Sequence, residues 1–386
     1  MKKLLFYSHD SYGLGNIRRM VAIASYLVSR HQDICILILT GSPMYHAFRT
    51  HPQIDYVKLP CLSRDNRGQY HSRLNCFDSH SLKTLRAKLI LSTYQEFQPD
   101  LCLIDKKPTG LAGELNEVFT NRSLCSLSVN LLLLRDILDA PEKTSTIWEK
   151  RHYQRVIEEH YDEVLVVGEQ TVFDVAKEYR FSNPVTLKTS YCGYLARKTE
   201  ANGRCHSQDR RRILVSAGGG DDGAALFNLY LDSLENDNFP HNVTHHFVFG
   251  PEMGDHDVEQ LISRAQEHPH ITWQRFSDNF IELVQSADLV LSMAGYNTVC
   301  ELMSIKARAI LVPRFTPVEE QLIRAQRLST LTAMDYLSPS QHSAQMLAEK
   351  VRQQLNTPKP YDGYDKINLR GMEVIEDKIL SYLVNH

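Results

Sequence analysis

The stretch ADLVLSMAGYNTVCEL, residues 287–302, decides the fold of the second half of the chain. The apolar run 289–291 predicts a buried strand, and helix-forming residues follow the small-residue turn at Ala294 and Gly295. In parallel α/β folds such a turn places free N–H groups and the positive end of a helix dipole against an anionic ligand. The stretch therefore favours an anion site. The alternative is an ordinary strand-to-helix turn in which the glycine only allows tight packing.

Length and composition bound the class of protein. A chain of 386 residues exceeds one comfortable core and fits two α/β domains. Its formal net charge of −3 indicates no basic surface, so nucleic acid is not an expected partner. The longest apolar runs, such as 34–39 and 164–167, have the length of strands and predict no transmembrane segment. The eight cysteines form no C-x-x-C pair, which predicts reduced thiols in a cytoplasmic protein.

The first half of the chain alternates short apolar runs with segments of helical spacing. Runs without polar alternation are typical of central parallel strands. Residues 1–195 are therefore predicted to form a Rossmann-like domain with a doubly wound parallel sheet. The predicted helices are 17–30 and 81–97, and the predicted strands are 3–8, 34–39, 55–59, 101–104, 124–128, 163–167 and 185–188.

The composition changes after residue 195. Residues 196–211 are polar and charged without periodicity, which predicts an interdomain linker. Strands and helices then alternate again, so 212–365 is predicted to form a second Rossmann-like domain. A C-terminal helix over 366–386 is expected to pack back on the first domain. The predicted fold class is α/β, with two doubly wound parallel-sheet domains facing a cleft, where folds of this kind bind ligands.

Four motifs in the second half occur in a specific order and spacing. They are SAGGGDDG at 216–223, RFSDNF at 275–280, the stretch at 287–302, and PRFTPVEEQLIRAQRL at 313–328. Together they resemble the GT-B-fold glycosyltransferases, in particular the MurG-like group that uses UDP-N-acetylhexosamine donors. The first half is similar to this group more loosely, through the glycine loop that ends at Gly15 and Asn16.

The resemblance implies that the second domain binds a nucleotide-diphosphate sugar. Two glycine turns would face the diphosphate, an aromatic residue would stack on the base, and a carboxylate would hold both ribose hydroxyls. A polar pair would contact the sugar, and an arginine would add positive charge near the diphosphate. The residues of the two glycine turns are Gly218, Gly219 and Gly220, and Ala294, Gly295, Tyr296, Asn297 and Thr298. Phe276 with Ser277 would contact the base, and Glu301 would hold the ribose. Glu320 with Gln321 would contact the sugar, and Arg314 would lie near the diphosphate.

The catalytic base is where the sequence departs from the resemblance. Members of the group usually carry a histidine where Asn16 stands, and an amide does not accept a proton at neutral pH. His9 and Asp10, after the first strand, are candidates for deprotonating an acceptor hydroxyl, and Asp105 after another strand is a further one. Each also has a structural interpretation, His9 as a hydrogen-bonded core residue and Asp105 as a helix cap or a partner of Lys106 and Lys107.

The implied reaction is metal-independent transfer of a glycosyl group to an acceptor hydroxyl, with inversion expected for the group. Asp221 and Asp222 are adjacent rather than spaced as D-x-D, and they indicate a helix N-cap instead of a metal site. No cofactor is expected, and a UDP-sugar is the expected co-substrate. The acceptor stays open among small molecules, lipids and glycans.

Three other functions share this fold. A nucleotide-sugar 2-epimerase needs several catalytic carboxylates and a histidine whose motifs do not occur in the sequence. A nucleotide-sugar-binding subunit with weak or no activity is consistent with Asn16. A glucosyltransferase acting on nucleic-acid bases is disfavoured by the slightly acidic charge.

Overall fold

The chain folds as two units, each with a parallel β-sheet flanked by helices. The computed structural model describes residues 1–9, 15–43, 51–64, 70–72, 76–121, 128–196, 210–277, 279–357 and 363–385. Unit 1 comprises Met1–Tyr194 together with Arg370–His386, and unit 2 comprises Leu195–Leu369. Within the described ranges, no helix is long and apolar enough to cross a membrane.

Unit 1 is built on a seven-stranded sheet in which all neighbouring strands are parallel. Its strands are β1 (Lys2–Tyr7), β2 (Ile34–Thr40), β3 (Ile54–Lys58), β6 (Leu101–Asp105), β7 (Val129–Arg135), β8 (Glu163–Val167) and β9 (Thr189–Tyr191). They are arranged in the order β3-β2-β1-β6-β7-β8-β9, and a separate antiparallel pair joins β4 (Leu62–Arg64) to β5 (Tyr70–Ser72). The central strands β6 and β8 are buried at every position, as expected when helices cover both faces of a sheet.

The helices of unit 1 lie between these strands, and one of them replaces a predicted strand. They are α1 (Gly15–Arg30), α2 (Ser79–Phe97), α3 (Asn116–Thr120), α4 (Pro141–Lys150), α5 (Tyr153–His160), α6 (Val175–Glu178) and α7 (Asn183–Leu187). The prediction of a strand at 185–188 is wrong. Ser182 caps α7 by accepting from the N–H of Val185, and Pro184 lies in its first turn. Most of the strand predicted at 124–128 lies outside the described residues.

Unit 2 is built on a six-stranded parallel sheet in the order β12-β11-β10-β13-β14-β15. The strands are β10 (Arg211–Ser216), β11 (Val243–Val248), β12 (Ile271–Gln274), β13 (Leu289–Ser292), β14 (Ala309–Leu311) and β15 (Met334–Tyr336). The helices are α8 (Ala224–Leu234), α9 (Asp255–Ala265), α10 (Phe280–Gln285), α11 (Tyr296–Ser304), α12 (Glu320–Leu331) and α13 (Ala344–Asn356). Strand residues such as Val215, Phe247 and Leu291 are fully buried in one hydrophobic core.

A last helix, α14 (Gly371–Asn385), belongs to unit 1. It begins five residues later than predicted, because residues 364–366 form a separate 3-10 turn. Glu376 of α14 accepts hydrogen bonds from Arg30 at 2.7 Å and contacts the His31 ring nitrogen at 2.6 Å. These contacts attach α14 to the end of α1. Of the predicted linker, residues 197–209 lie outside the described residues.

Candidate functional site

Unit 2 has a topological switch point between β10 and β13. The strands β11 and β12 extend the sheet on one side of β10, and β13, β14 and β15 extend it on the other. The register pairs Ser216 with Ser292, so the carboxyl ends of β10 and β13 lie side by side. In open α/β sheets, ligands bind in the crevice that forms at such a point. Both predicted glycine turns follow these two strands.

The first turn, residues 217–223 between β10 and α8, depends on its glycines. Gly218 and Gly220 have φ of 69° and 99°, in the left-handed region that favours glycine. A Cβ on Gly220 would lie 2.7 Å from the carbonyl oxygen of Phe249, and one on Gly218 would lie 3.1 Å from Thr298 Oγ1. Because Thr298 belongs to α11, the structure brings the two predicted glycine turns together. Likewise, a Cβ on Gly219 would lie 2.8 Å from a carboxylate oxygen of Glu252.

The second turn joins β13 to α11. Gly295 is the cap residue of α11, with φ −64° and ψ 143°, and no side chain at this position bonds the first N–H groups of the helix. Tyr296, Asn297 and Thr298 begin the helix, and Glu301 lies in its second turn, buried with 5% of its surface exposed. A helix start at a switch point is a favourable place for an anion, because of its N–H groups and the helix dipole.

Two side chains of α12 hold the backbone of Ala294 in the second turn. Gln321 Oε1 accepts from the N–H of Ala294 at 3.2 Å, and Arg324 Nη1 donates to the Ala294 carbonyl at 2.8 Å. Arg324 is fully buried, and its guanidinium lies 5.8 Å from the ring centroid of Tyr296. Sequence reasoning missed Arg324. Its spacing of three residues from Gln321, which puts both on one helix face, is the signal that identifies it.

Arg314 connects the first turn to the start of α12. Its guanidinium pairs with Asp222 at 2.8 Å and with Glu320 at 3.2 Å. Burial disfavours the charged guanidinium, but the two carboxylates outweigh burial and raise the pKa of Arg314. The positive charge of Arg314, which was predicted to lie near the diphosphate, is thus already compensated by these two carboxylates. The prediction that Asp222 caps a helix is wrong, because Gly223 is the cap residue of α8 and no side chain caps that helix.

The predicted base-contacting pair follows β12, at the same carboxyl edge of the parallel sheet. Phe276 is 54% exposed, a large fraction for an aromatic ring. Ser277 accepts a hydrogen bond from the N–H of Asn279 through its hydroxyl, at 3.2 Å. The exposed ring of Phe276 offers an apolar face on which a planar base can stack.

Unit 1 has its own switch point, between β1 and β6. Asp105 ends β6 and is fully buried, and its Oδ1 pairs with Arg19 Nη2 at 2.5 Å. Asn16, next to Gly15 at the start of α1, donates through its amide nitrogen to the carbonyl of His9 at 2.7 Å and accepts from Arg19 at 3.2 Å. The amide nitrogen and the amide oxygen of Asn16 are thus both used in hydrogen bonds that hold the connection from β1 to α1. The pairing of Arg19 with Asp105 was not predicted from the sequence, since the two residues lie 86 positions apart.

The structure does not join His9 to Asp105 by a hydrogen bond. His9 is 4% exposed, and its Nδ1 has no hydrogen-bond partner among the described residues. Burial, followed by the charges of Lys106 and Lys107, lowers the pKa of His9 well below its ordinary value of 6.5. The imidazole is therefore neutral at physiological pH. Asp10, the other candidate at this strand end, lies outside the described residues.

Known structures share the architecture of both units. MurG from Acinetobacter baumannii aligns with a TM-score of 0.63 over 99% of this chain and 100% of that chain, at 14% sequence identity. The glycotransferase of kitacinnamycin aligns with a TM-score of 0.65 over 99% of both chains, at 11% sequence identity. CalG4, the calicheamicin glycosyltransferase, aligns with a TM-score of 0.62 over 99% of this chain and 98% of that chain, at 13% sequence identity. The chain is a two-domain α/β protein of the GT-B fold, and the predicted fold class is confirmed.

Sequence comparison finds a family match in the second half of the chain. Residues 214–378 match the glycosyltransferase family 28 C-terminal domain, so this part of the chain is similar to that family, and the resemblance to the MurG-like group is confirmed. Two curated relatives carry the name UDP-N-acetylglucosamine--N-acetylmuramyl-(pentapeptide) pyrophosphoryl-undecaprenol N-acetylglucosamine transferase. The one from Pasteurella multocida (strain Pm70) is 27% identical over 146 residues, which are 38% of this chain and 39% of the relative. The one from Haemophilus influenzae (strain PittGG) is 30% identical over 153 residues, which are 38% of this chain and 40% of the relative. The chain thus spans about two fifths of the length of these relatives.

Proposed function

We propose that the protein transfers a glycosyl group from a nucleotide-diphosphate sugar, in particular a UDP-sugar, to an acceptor hydroxyl. The observation that carries the proposal is the contact between two glycine turns at adjacent strand ends of a family 28 C-terminal domain. At such turns, backbone N–H groups approach phosphate oxygens without interference from side chains. The donor in the relatives' name is UDP-N-acetylglucosamine, which supports a UDP-linked donor here.

The donor is proposed to lie along the carboxyl edge of the unit 2 sheet. The two turns face its diphosphate, while Gln321 and Arg324 keep the second turn in place through the backbone of Ala294. Glu301 accepts hydrogen bonds from both ribose hydroxyls, for which a carboxylate has enough lone pairs. Phe276 stacks on the base beside Ser277, and Glu320 contacts the hydroxyls of the sugar.

Departure of the diphosphate requires stabilisation of its growing negative charge. The N–H groups of the two turns and the dipole of the nine-residue helix α11 supply this stabilisation from fixed positions. Arg314 orients Glu320 and Asp222, so its own charge is not the main source. We therefore propose a metal-independent reaction. Attack of the acceptor oxygen on the face of the anomeric carbon opposite the diphosphate inverts the configuration.

His9 is proposed to take the proton of the acceptor hydroxyl. It lies at the switch point of unit 1, it is neutral, and its Nδ1 has no partner among the described residues. Asp105 is assigned instead to anchoring α1 on β6, because its Oδ1 is held by Arg19 in a pair that is 1% exposed on each side. Asp10 stays a prediction.

The acceptor is proposed to bind unit 1, which lies largely outside the 214–378 match. The acceptor in the relatives' name is linked to pyrophosphoryl-undecaprenol, but the sequence match covers only about two fifths of the length of these relatives. Small-molecule, lipid and glycan acceptors all satisfy the proposed chemistry. A cytoplasmic location is part of the proposal, and the six cysteines in the described ranges are free thiols.

Ligand-induced stabilisation tests the donor site. UDP at 100 times its Kd is expected to stabilise the native protein by about 2.7 kcal/mol, which raises its melting temperature. Glu301→Ala is expected to abolish the shift, whereas Glu259→Ala, an exposed carboxylate on α9, is expected to keep it. Absence of a shift with every nucleotide diphosphate and nucleotide sugar contradicts the donor site.

Asn16 supports a second candidate, a subunit that binds the nucleotide sugar without transferring it. The amide occupies the position of the usual histidine and is fully used in structural hydrogen bonds. Glu301-dependent binding of UDP, together with no release of UDP from a UDP-sugar in the presence of acceptor extracts, would favour this function over transfer.

A further inference from the structure

Gly219 differs from the other two glycines of the first turn. Gly218 and Gly220 have positive φ, which favours glycine, whereas Gly219 does not. Apart from its chain neighbours, the only described atoms within 4 Å of a Cβ on Gly219 belong to the carboxyl group of Glu252, with Oε2 at 2.8 Å and Cδ at 3.8 Å. The backbone of the turn therefore does not itself require glycine at position 219. The missing Cβ leaves room that the carboxyl group of Glu252 occupies.

The segment that carries Glu252 is fixed on the first turn by its backbone. It follows β11, and a Cβ on Gly250 would lie 2.6 Å from the carbonyl carbon of Gly219. The N–H of Glu252 donates to the Gly219 carbonyl at 2.9 Å. Arg275, directly after β12, donates to the carbonyl of Met253 at 2.7 Å and holds the segment from its other side. The backbone of Glu252 is thus held beside Gly219, whereas its half-buried side chain can adopt other rotamers.

The carboxylate of Glu252 lies next to N–H groups that the proposed donor would use. The N–H groups of Gly219 and Gly220 donate no hydrogen bond within the described ranges. In Gly219, the amide nitrogen and the position of a Cβ are each about 1.5 Å from the Cα. A phosphate on this N–H and the Glu252 carboxylate would therefore lie on adjoining sides of one small residue. Groups so close exclude each other, because both occupy space and both are negatively charged.

We propose that Glu252 shields the first glycine turn in the free protein, and that its side chain moves away from Gly219 when the diphosphate binds. The inference rests on the proposed transferase function. Glycine at position 219 serves both states, since a side chain there would obstruct the carboxylate in the free protein and the phosphate in the complex. The shielding lowers the affinity for every ligand that places a diphosphate on the turn. Because the UDP product carries this group as the donor does, the contact also favours product release.

Isothermal titration calorimetry of the full-length protein with UDP tests the inference. Glu252→Ala removes the carboxylate, and it is expected to bind UDP about tenfold more tightly than the wild type does. This gain corresponds to an open turn in about one tenth of the free wild-type molecules. Uridine, which has no phosphate, is expected to bind both proteins equally in an NMR titration. Urea unfolding midpoints of the two free proteins are expected to be similar, because the side chain of Glu252 is only half-buried.

The control is Glu259→Ala, which removes the same charge from unit 2 at an exposed position of α9. It is expected to bind UDP as the wild type does. A gain in affinity that Glu252→Ala shows and Glu259→Ala does not show is thus attributed to the contact with Gly219. It is not attributed to the net charge of the protein.

Three results overturn the inference. Glu252→Ala binds UDP no more tightly than the wild type does, Glu259→Ala gains as much affinity as Glu252→Ala, or uridine gains as much as UDP. In each case, stabilisation of the wild type by UDP through Glu301 still supports the donor site, so only the shielding fails. If neither the wild type nor Glu252→Ala binds UDP, the donor site is contradicted and the inference falls with it.

Discussion

Gly220→Ala is expected to destabilise unit 2 strongly, whereas Gly254→Ala in the same unit is expected to have little effect. Both replacements add one methyl group, so the difference between them isolates the geometry of the first glycine turn. Gly220 has φ of 99°, and a Cβ there would lie 2.7 Å from the Phe249 carbonyl oxygen and 3.1 Å from Gly250 Cα. Gly254 has φ of −59°, and its Cβ would lie 3.5 Å from Asp257 Oδ2, an ordinary contact.

The magnitude follows from two additive costs at Gly220. A non-glycine residue held at a sparsely populated φ costs about 1–3 kcal/mol. The overlap with backbone atoms, which cannot rotate away, costs about 1–3 kcal/mol more. We therefore expect Gly220→Ala to lower the free energy of unfolding by about 2–6 kcal/mol. At position 254, alanine lowers the conformational entropy of the unfolded chain, which stabilises the protein, and it caps the helix less well, which destabilises it. Because these effects offset each other, the free energy of unfolding is expected to change by no more than about 0.5 kcal/mol.

Tryptophan fluorescence during urea unfolding measures the difference. The chain has two tryptophans, Trp148 in unit 1 and Trp273 in unit 2. In a Trp148→Phe background, which keeps an aromatic ring against Phe181, the remaining signal reports unit 2. The Gly220→Ala variant is also expected to lose stabilisation by UDP. Equal unfolding midpoints for the two glycine variants would refute the assigned geometry of the turn.

Two further variants test buried charges. Arg324→Met removes the donor to the Ala294 carbonyl, and we expect a stability loss of about 2 kcal/mol and a higher KM for the nucleotide sugar, with kcat less affected. Steady-state kinetics against the exposed control Arg327→Met checks this, and an unchanged KM contradicts it. Burial opposes ionisation of Glu376, but hydrogen bonds from Arg30 and His31 outweigh burial and lower its pKa below 4.5. The carboxylate therefore stabilises the protein above pH 4.5, and this contribution is lost as the pH falls through the lower folded-state pKa. Glu376→Gln is expected to cost about 1 kcal/mol at pH 7 and less in acid, unlike Asp377→Asn, as measured by urea unfolding at both pH values.

Local patterns were sufficient to predict the strands of both sheets that are continuously apolar. β6, β8 and β13 are buried at every position, so their sequences show the burial directly. The strand predicted at 185–188 failed because apolar residues alone do not distinguish a short helix from a strand. The cap at Ser182 and Pro184 in the first turn were the decisive local signals.

Buried ionic contacts could not be predicted in the same way. Arg86 and Glu114 are 28 residues apart, and Arg19 and Asp105 are 86 residues apart, so no local spacing relates the partners. A buried arginine needs a partner, but the sequence does not identify which carboxylate or carbonyl supplies it. The two hydrogen bonds of Asn16 are local by comparison, with partners seven and three residues away.

The two switch points differ in the groups they present, and this difference determines what can be inferred from relatives. In unit 2 the turns offer backbone N–H groups, so glycines and small residues at fixed spacing were enough to predict a candidate site. In unit 1 the corresponding edge is built from Arg19, Asp105, Lys106 and Arg135, whose side chains come from three separate segments. Under the proposed function unit 1 binds the acceptor, and replacing one of those side chains is expected to change acceptor recognition without altering the turns of unit 2. The proposed acceptor must therefore be determined from unit 1 itself, because the family match covers residues 214–378 and the two curated relatives each match 38% of this chain.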